Sequence, residues 1–299
     1  MSAVTLGDAV VATARTLRDA GVASPEVDAR WLVEAASGID PRRAPDAALT
    51  PAAADALAPL VVRRSAREPL QLVVGTAAFR TIELRCRPGV FVPRPETEVL
   101  AGLAIDLVRA ARPAGERVVV HEPCCGTGAV GLAVASEVDG AVVLLGDRSE
   151  RAVSLARENR DLLAEAGLLR ATVEVHRGEL LDAFAGSEHG RADVIVANPP
   201  YLPVGDLATL DPEVGAHDPH DALAGGPDGH EVVDALLDAA AAALAPGGAV
   251  VIEIDARRAD EAVAVARRAG LVDAEVRPDL TGAERFVLAR RPGPAGSRG

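Results

Sequence analysis

The first quarter of the chain carries apolar residues at the three-to-four-residue spacing of amphipathic helices. This pattern predicts helices over residues 5–20, 26–37 and 51–67. Ser24-Pro25 and Thr50-Pro51 are typical helix starts, because proline is favoured at the first helical position. Short loops with Gly or Pro separate the three segments. The sequence therefore predicts a small helical N-terminal domain.

The pattern of apolar and polar positions changes at about residue 70. Residues 70–75 and 82–86 form apolar or alternating runs between glycines, which predicts a β-hairpin linker. Residues 92–98 then open a further helix, which we expect to extend to about Arg112.

Strand-like and helix-like segments alternate from residue 117 onward. Short apolar runs predict strands at 117–122, 141–146, 171–176, 192–197, 248–254, 272–277 and 284–290. Helical spacing predicts helices at about 128–137, 149–166, 230–245 and 257–269. Such alternation implies a parallel sheet with helices on both faces. No helix separates the last two strands, so the final strand is expected to enter as an antiparallel hairpin.

The predicted fold class is therefore α/β. The predicted seven-stranded, mostly parallel, Rossmann-like sheet resembles that of class I methyltransferases, and the small helical domain and the β-hairpin linker precede it. Residues 202–230 interrupt the alternation and are rich in Pro, Gly, Asp and His. A loop of this length in a compact domain is usually functional or disordered.

The tetrapeptide Asn198-Pro199-Pro200-Tyr201 directly follows the strand predicted at 192–197. In an open α/β sheet, ligands sit at the carboxyl ends of the strands. The two prolines fix φ, and Pro199 pushes Asn198 out of the helical region. The Asn198 amide and the rigid backbone carbonyls can accept hydrogen bonds from a planar NH2 group, which predicts methyl transfer to nitrogen. A Pro-rich turn after a buried strand is the alternative interpretation.

A second candidate site lies at the turn that follows the strand at 117–122. Glu122 ends that strand and can bind the cationic amino group of a methionine moiety, directly or through water. Glycines in the turn let a ligand approach the backbone closely. Asp147 follows the next strand and is placed to accept both ribose hydroxyls of a nucleoside. Glu179-Leu180 follows the third strand, where residues commonly flank an adenine, although a loop acid beside a buried leucine is an equal alternative.

The predicted cofactor-binding residues are Glu122, Cys124, Cys125, Gly126, Thr127, Gly128, Asp147, Arg148, Glu179, Leu180 and Asn198. The turn also matches the Gly-x-Gly-x-x-Gly pattern of NAD-dependent dehydrogenases through Gly126, Gly128 and Gly131. That pattern gives no role to Glu122 or to the tetrapeptide, so we favour a methyl donor.

The composition of the chain restricts the kinds of partner that it is expected to bind. The net charge is −13, and all of it falls in residues 81–299, because residues 1–80 carry equal numbers of Arg and of acidic residues. An acidic surface repels a phosphate backbone, which argues against extended nucleic-acid binding.

The three cysteines, Cys86, Cys124 and Cys125, are too few for a disulfide framework. Without an apparent signal peptide or membrane span, we expect a cytoplasmic protein with no membrane partner.

The histidines of the long loop, His217, His220 and His230, lie among several aspartates. We interpret them as part of a polar, solvent-facing loop, because the aspartates can equally serve as helix caps and turn formers. No metal site is predicted.

Several motifs together resemble the HemK/PrmC-type protein-(glutamine-N5) methyltransferases, which modify the Gln of the Gly-Gly-Gln motif in peptide-chain release factors. The similarity covers nearly the whole chain, including the helical N-terminal domain. Its motifs are Arg-Glu-Pro-Leu-Gln at 67–71, Pro-Arg-Pro-Glu-Thr-Glu at 93–98, Asn-Pro-Pro-Tyr at 198–201, the loop motifs at 218–219 and 222–229, and Asp-Leu-Thr-Gly-Ala-Glu-Arg at 279–285.

The resemblance implies S-adenosylmethionine as the cofactor and a release factor as the protein partner. We expect the enzyme to be a monomer. The resemblance also implies that the Asn198 side-chain oxygen and the Pro199 carbonyl hold the substrate nitrogen while Tyr201 packs on the amide. The substrate-binding set it implies is Asn198, Pro199, Pro200, Tyr201, Arg94 and Glu98. We therefore predict a helical substrate-recognition domain at 1–68, a hairpin linker at 69–95, the methyltransferase domain at 96–291 and a disordered tail at 292–299.

The chain departs from the family pattern at one position. The family usually has Asp-x-Gly-x-Gly-x-Gly at the cofactor turn, whereas this chain has Glu122 as the acid and Cys124 at the first glycine. If that position needs a positive φ, Cys124 costs about 1–2 kcal/mol of strain. Amide or amine methylation of a peptide or small molecule, amino methylation of DNA or RNA, and a non-enzymatic cofactor-binding role stay as alternatives.

Overall fold

The computed structural model describes residues 4–111 and 117–293. Most of the expected tail at 292–299 therefore lies outside the described residues. The chain divides into two compact units. The first comprises Met1–Thr76 and Leu210–His217, and the second comprises Ala77–Thr209 and Asp218–Gly299.

The helices and strands follow the predicted segments closely. The helices are α1 Leu6–Asp19, α2 Pro25–Ser37, α3 Pro51–Ser65, α4 Leu70–Val74, α5 Thr97–Ala111, α6 Ala129–Glu137, α7 Glu150–Glu165, α8 Pro212–Gly215, α9 His220–Leu223, α10 Glu231–Ala243 and α11 Ala259–Arg268. The strands are β1 Thr76–Phe79, β2 Ile82–Arg85, β3 Val119–Pro123, β4 Val142–Asp147, β5 Thr172–Arg177, β6 Ala192–Ala197, β7 Leu244–Glu253, β8 Val272–Pro278 and β9 Glu284–Arg290. Short 3-10 turns cover Leu180–Phe184, Val204–Thr209 and Ala256–Arg258.

The first unit is a small helical bundle, as the apolar spacing predicts. The Thr5 hydroxyl accepts from the Asp8 N–H and caps α1, and Thr50 caps α3 in the same way through the Ala53 N–H. Leu6, Leu17, Leu32 and Val33 are fully buried and form the centre of its core with further apolar residues. Each helix therefore buries one apolar face against the other two.

The prediction of an extended run at 70–75 is wrong. This segment forms the helical turn α4, which ends at Gly75 with φ +82°. Two of its carbonyls, those of Leu72 and Val73, accept from the Arg63 guanidinium at 2.9 and 3.2 Å. Because Arg63 satisfies these end carbonyls and Val73 packs into the helical core, tertiary contacts override the strand-like sequence. The hairpin itself comprises only β1 and β2.

A pair of arginines attaches the segment Leu210–His217 to the helices of the first unit. Buried Arg64 donates to Asp28 at 2.7 Å and to Glu213 at 3.2 Å. Arg67 donates to the same Glu213 carboxylate through Nε at 2.6 Å. Part of the long loop predicted at 202–230 is therefore fixed by ion pairs.

The second unit contains the predicted seven-stranded sheet. Its strand order is β5-β4-β3-β6-β7-β9-β8. The pairs from β5 to β7 are parallel, and β9 is antiparallel to both β7 and β8, so the expected terminal hairpin is confirmed. The chain leaves β3 toward β4 on one side and later returns to β6 on the other. The crevice at such a switch point is where ligands bind in open α/β sheets.

Apolar layers cover both faces of the sheet. Val194, Ile195, Val196 and Ala197 of β6 have no solvent exposure, and their side chains alternate between two separate hydrophobic clusters. A central strand covered on both faces reads as a continuous apolar run, which is the pattern that the sequence shows. The core therefore fixes the position of the residues that follow β6.

No helix in the described parts of the chain is long and apolar enough to cross a membrane.

His121 is a buried imidazole in the middle of β3. It is 3% exposed, and neither ring nitrogen has a hydrogen-bond partner among the described residues. Its ring centroid lies 4.4 Å from that of Phe184. Burial lowers the pKa of His121 from 6.5 to about 4, and the positive charges of His176 and His189 add to this effect.

We expect His121 to make the protein less stable in acid. Between about pH 6.5 and pH 4 the unfolded chain binds a proton that the folded chain does not, so the free energy of unfolding falls as the pH is lowered through this window. The difference between the two pKa values corresponds to about 3 kcal/mol. Urea unfolding of the wild type and His121→Leu at pH 8 and pH 5 measures it, and the variant should lose much less stability. His220→Leu, at an exposed position, is the matched control. Equal losses in the wild type and His121→Leu would contradict the prediction.

Candidate active site

Three of the predicted site segments meet at one edge of the sheet. Asn198–Tyr201 follow β6, the turn after Glu122 follows β3, and Asp147 ends β4. β3 pairs in parallel with both β6 and β4, so all three segments leave the sheet at its carboxyl edge. The sheet topology therefore brings the tetrapeptide next to the predicted cofactor turn.

Residues 222–229 fold back onto the tetrapeptide. The Leu202 N–H donates to the Leu223 carbonyl, and the Gly225 N–H donates to the Leu202 carbonyl, both at 2.9 Å. A Cβ on Gly225 would lie 2.8 Å from the Pro200 oxygen. The glycine allows this close approach, so this part of the long loop at 202–230 packs tightly against the tetrapeptide.

The side chain of Asn198 is held by a residue of α5. Asn198 Nδ2 donates to Thr97 Oγ1 at 3.0 Å, and that hydroxyl donates to Glu253 Oε2 at 2.9 Å. The Tyr201 hydroxyl donates to Glu253 Oε1 at 3.1 Å. Asn198 and Tyr201 are half-buried, whereas Thr97 and Glu253 are buried. Two residues of the tetrapeptide thus depend on one carboxylate at the end of β7.

Thr97 and Glu253 are not among the site residues predicted from the sequence. Thr97 lies inside the Pro-Arg-Pro-Glu-Thr-Glu motif, but only Arg94 and Glu98 of that motif were predicted to act. Glu253 interrupts the apolar run of β7 just before Ile254. A carboxylate within a buried strand end is the signal that indicates a polar partner there.

The turn after β3 wraps around Asp147. The N–H of Gly126 donates to Asp147 Oδ2 at 3.0 Å, and the N–H of Ser149 donates to Oδ1 at 2.8 Å. Burial raises the pKa of Asp147, and these two hydrogen bonds oppose that shift. A Cβ on Gly126 would meet no atom within 4 Å, so the turn leaves open space next to the Asp147 carboxylate.

Cys124 has a positive φ, which is the condition under which its side chain is expected to be strained. Its φ is +59°, in the left-handed region, and Gly126 and Gly128 in the same turn are at +55° and +81°. A side chain in this region costs about 1–2 kcal/mol. Burial raises the pKa of the Cys124 thiol, with the charges of Asp147 and Glu179 adding to it, so it is a neutral thiol in this site.

Glu122 lies deep beneath the turn. It is 3% exposed, and its Oε2 accepts from the Gly131 N–H at 2.7 Å at the start of α6. A Cβ on Gly131 would lie 2.5 Å from that oxygen, so glycine is required there. Burial raises the pKa of Glu122 to about 8 despite this hydrogen bond. One oxygen thus orders the helix start, and binding of an amino group by Glu122 stays a prediction.

The other predicted cofactor residues differ in where their side chains lie. Cys125 and Thr127 are buried, and the Thr127 carbonyl accepts from Asn159 Nδ2 at 3.0 Å.

Arg148 lies 3.8 Å from the Glu179 carboxylate and donates to the Asp221 carbonyl at 3.1 Å. Leu180 adopts φ +46°. Arg148 therefore links the ends of β4 and β5 to the loop after the tetrapeptide.

Arg94 and Glu98, the two residues of the Pro-Arg-Pro-Glu-Thr-Glu motif that are predicted to bind substrate, have different surroundings. The Arg94 guanidinium pairs with the buried Asp218 carboxylate and lies 5.2 Å from the Phe91 ring centroid. Asp218 also accepts from the Val92 N–H at 3.2 Å. Glu98 is half-buried in the first turn of α5. The charge of Arg94 thus holds the loop near the tetrapeptide, and its binding of substrate stays a prediction.

The histidine-rich loop shows no metal-binding arrangement. His230 Nδ1 lies 3.1 Å from Asp234 Oδ2, one helical turn away in α10. Within residues 4–111 and 117–293, no group of three or more His, Cys, Asp or Glu side chains could hold a metal ion.

Comparison with known proteins gives matches along most of the chain. Residues 8–75 match the family model of the PrmC N-terminal domain, and residues 101–209 match that of the methyltransferase small domain. The crystal structure of a release factor-specific protein-(glutamine-N5) methyltransferase from Alicyclobacillus acidocaldarius aligns with a TM-score of 0.39 and 23% identity, over 67% of this chain and 94% of that chain.

Two relatives match at higher identity. The release factor glutamine methyltransferase of Deinococcus radiodurans is 44% identical over 94% of this chain and 96% of its own length. That of Streptomyces coelicolor is 38% identical over 96% of this chain and 98% of its own length. With identity at this level over nearly the full length of both proteins, the chain belongs to the family of release factor glutamine methyltransferases.

Proposed function

We propose that this protein transfers a methyl group from S-adenosylmethionine to the side-chain amide nitrogen of a glutamine in a peptide-chain release factor. The observation that carries the proposal is the position of Asn198–Tyr201 at the carboxyl end of β6, beside the turn that follows β3. Membership of the family supports the glutamine substrate. We further propose that the enzyme works as a monomer in the cytoplasm, where release factors act.

The residues of the turn fit the proposed cofactor. The open space beside Gly126 lies next to the Asp147 carboxylate, which suits a ribose diol. We assign the adenine end to Glu179 and Leu180 and the methionine end to Glu122 and the backbone from Cys124 to Gly128. When bound, S-adenosylmethionine supplies an electrophilic methyl group on a sulfonium.

The tetrapeptide addresses the main chemical difficulty of this reaction. An amide nitrogen is a poor nucleophile, because its lone pair is delocalised into the carbonyl group. Acceptors for both of its N–H groups hold the nitrogen in place and favour its pyramidal form. Asn198 Oδ1 is one such acceptor. The Pro199 carbonyl is the second, since no hydrogen bond within the described part of the chain ends on it.

The other proposed substrate contacts surround these two acceptors. Tyr201 packs on the substrate amide plane, while its hydroxyl is anchored on Glu253. Arg94 holds the loop through Asp218. Transfer leaves a protonated secondary amide, which is strongly acidic, so water can take the proton afterwards. We therefore expect positioning, rather than a strong general base, to supply most of the rate.

Replacement of Asn198 tests the proposed catalytic role. Asn198→Ala removes one acceptor from the reacting nitrogen, and we expect kcat to fall by about 100-fold or more. The affinity for S-adenosylmethionine should change by less than about threefold, because the proposed cofactor contacts are mostly elsewhere. Mass spectrometry of the Gly-Gly-Gln peptide of a release factor measures transfer, and calorimetry measures affinity. Normal turnover by Asn198→Ala would overturn the catalytic role of Asn198. If the wild type instead methylates an oligonucleotide or a free glutamine peptide in preference to the release factor, the proposed substrate is wrong.

Replacement of Asp147 tests the cofactor site. Asp147→Ala removes a charged acceptor worth about 1.5–3 kcal/mol to a hydroxyl donor, which corresponds to about 10- to 100-fold weaker binding of S-adenosylhomocysteine. Because Asp147 also orders Gly126 and Ser149, the ribose contact needs its own control. A 2′-deoxyribose analogue should bind the wild type more weakly, whereas the variant should bind both ligands equally. Unchanged discrimination by calorimetry would refute the role.

A further inference from the structure

Asn198 is connected through two hydrogen bonds to a buried carboxylate. Its Nδ2 donates to Thr97, the Thr97 hydroxyl donates to Glu253, and the Tyr201 hydroxyl donates to the other oxygen of Glu253. Thr97 is 4% exposed and Glu253 is 2% exposed. Solvent therefore offers the Thr97 hydroxyl and the Glu253 carboxylate no alternative partner, so the donors and acceptors around these two groups must match one another.

The direction of each hydrogen bond follows from Glu253. An ionised carboxylate only accepts hydrogen bonds, so the hydroxyls of Thr97 and Tyr201 must both donate to it. The Thr97 oxygen then has only lone pairs to offer to Asn198. The Asn198 atom that faces Thr97 must therefore be the NH2 group, since an amide oxygen there would face another acceptor.

We propose that Thr97 and Glu253 are positioning residues that fix the orientation of the Asn198 amide, so that its oxygen faces the substrate nitrogen. The proposal rests on the proposed function above. If the Asn198 oxygen and NH2 group exchanged places, the NH2 group would face the N–H of the substrate amide. Two donors cannot form a hydrogen bond, so the wrong orientation loses the contact that holds the nitrogen.

The surroundings of Glu253 include opposing influences on its charge. Burial raises the pKa of Glu253, and the negative charge of Glu96 adds to this. The hydrogen bonds from Thr97 and Tyr201 and the positive charge of Arg285 lower it. Assays at about pH 8 favour the ionised, accepting form of a carboxyl group with a raised pKa.

Substitutions at Thr97 separate the hydroxyl from its packing. Thr97→Val keeps the shape and removes the hydroxyl, and we expect kcat to fall by about 10- to 100-fold because the reacting nitrogen is no longer held. The KM for the release factor and the Kd for S-adenosylmethionine should stay within about threefold, since the defect concerns orientation. Thr97→Ser keeps the hydroxyl and should restore kcat to within about threefold of the wild type.

Two further variants complete the series. Glu253→Leu removes both acceptors, so the Thr97 hydroxyl can turn and donate to the Asn198 amide oxygen. That contact permits the wrong orientation of Asn198, and kcat should fall as for Thr97→Val. Ser136→Ala is the matched control for the loss of a buried hydroxyl, because Ser136 donates to the Ala133 carbonyl within α6. Its kcat should equal that of the wild type.

The chain also permits a measurement that needs no turnover. Asn198 and Asn159 are its only asparagines, so their side-chain NH2 signals can be assigned by NMR. Exchange of the Asn198 NH2 protons with water should be faster in Thr97→Val than in the wild type. Those of Asn159, which donate to the Arg85 and Thr127 carbonyls, should be unchanged.

The outcomes distinguish this inference from the proposed function. If the wild type fails to methylate a release factor glutamine, the proposed function fails, and the exchange measurement still decides the orientation of Asn198. If the wild type is active and Thr97→Val keeps its kcat, the inference is wrong. Equal losses in Thr97→Val and Thr97→Ser would assign the effect to packing, and a rise only in the Kd for S-adenosylmethionine would assign Thr97 to the cofactor. Either result overturns the inference.

Discussion

The buried carboxylate of Glu253 is the group on which the arrangement of the tetrapeptide depends. A carboxylate removed from water is strongly destabilising unless hydrogen bonds and an opposite charge compensate it. Thr97, Tyr201 and Arg285 provide that compensation here, and they come from α5, from the segment after β6 and from β9. The groups that compensate the buried Glu253 carboxylate thus come from three parts of the chain that are distant in sequence. The Asn198 amide inherits its orientation from this arrangement.

Most of the fold could be predicted from the sequence, because each face of each element leaves a periodic signal. The central strand β6 is covered on both sides, so Val194–Ala197 are continuously apolar in the sequence as well as buried in the structure. The segment Leu70–Val74 has no periodic signal that distinguishes a strand from a helix. A short apolar run fits a strand or a helical turn equally well, and the contacts of Arg63 with the carbonyls of Leu72 and Val73 are absent from any local pattern.

The residues of the candidate site could likewise be predicted from the sequence only in part. Asn198 and Asp147 could be identified because they follow predicted strands, and strand ends define the ligand-binding edge of a parallel sheet. The hydrogen bond between Thr97 and Glu253 could not be predicted, because 156 residues separate them in the sequence and no local pattern identifies one as the partner of the other. Arg94 shows the same limit. Its motif suggests a contact with substrate, whereas the structure pairs its guanidinium with Asp218, 124 residues away.

Cys124 shows how much a departure from a family pattern changes. Its φ of +59° is the conformation that glycine adopts without cost. The hydrogen bonds from Cys125 N to the Gly146 carbonyl and from Gly126 N to Asp147 fix the backbone on its C-terminal side. These contacts hold Cys124 in a strained conformation, as expected where surrounding contacts over-determine a local conformation. A substitution that leaves this backbone in place gives no reason to expect a different methyl acceptor. The residues proposed to contact the acceptor lie in the tetrapeptide, and the hydrogen bonds that join Leu202 to Leu223 and Gly225 do not involve Cys124.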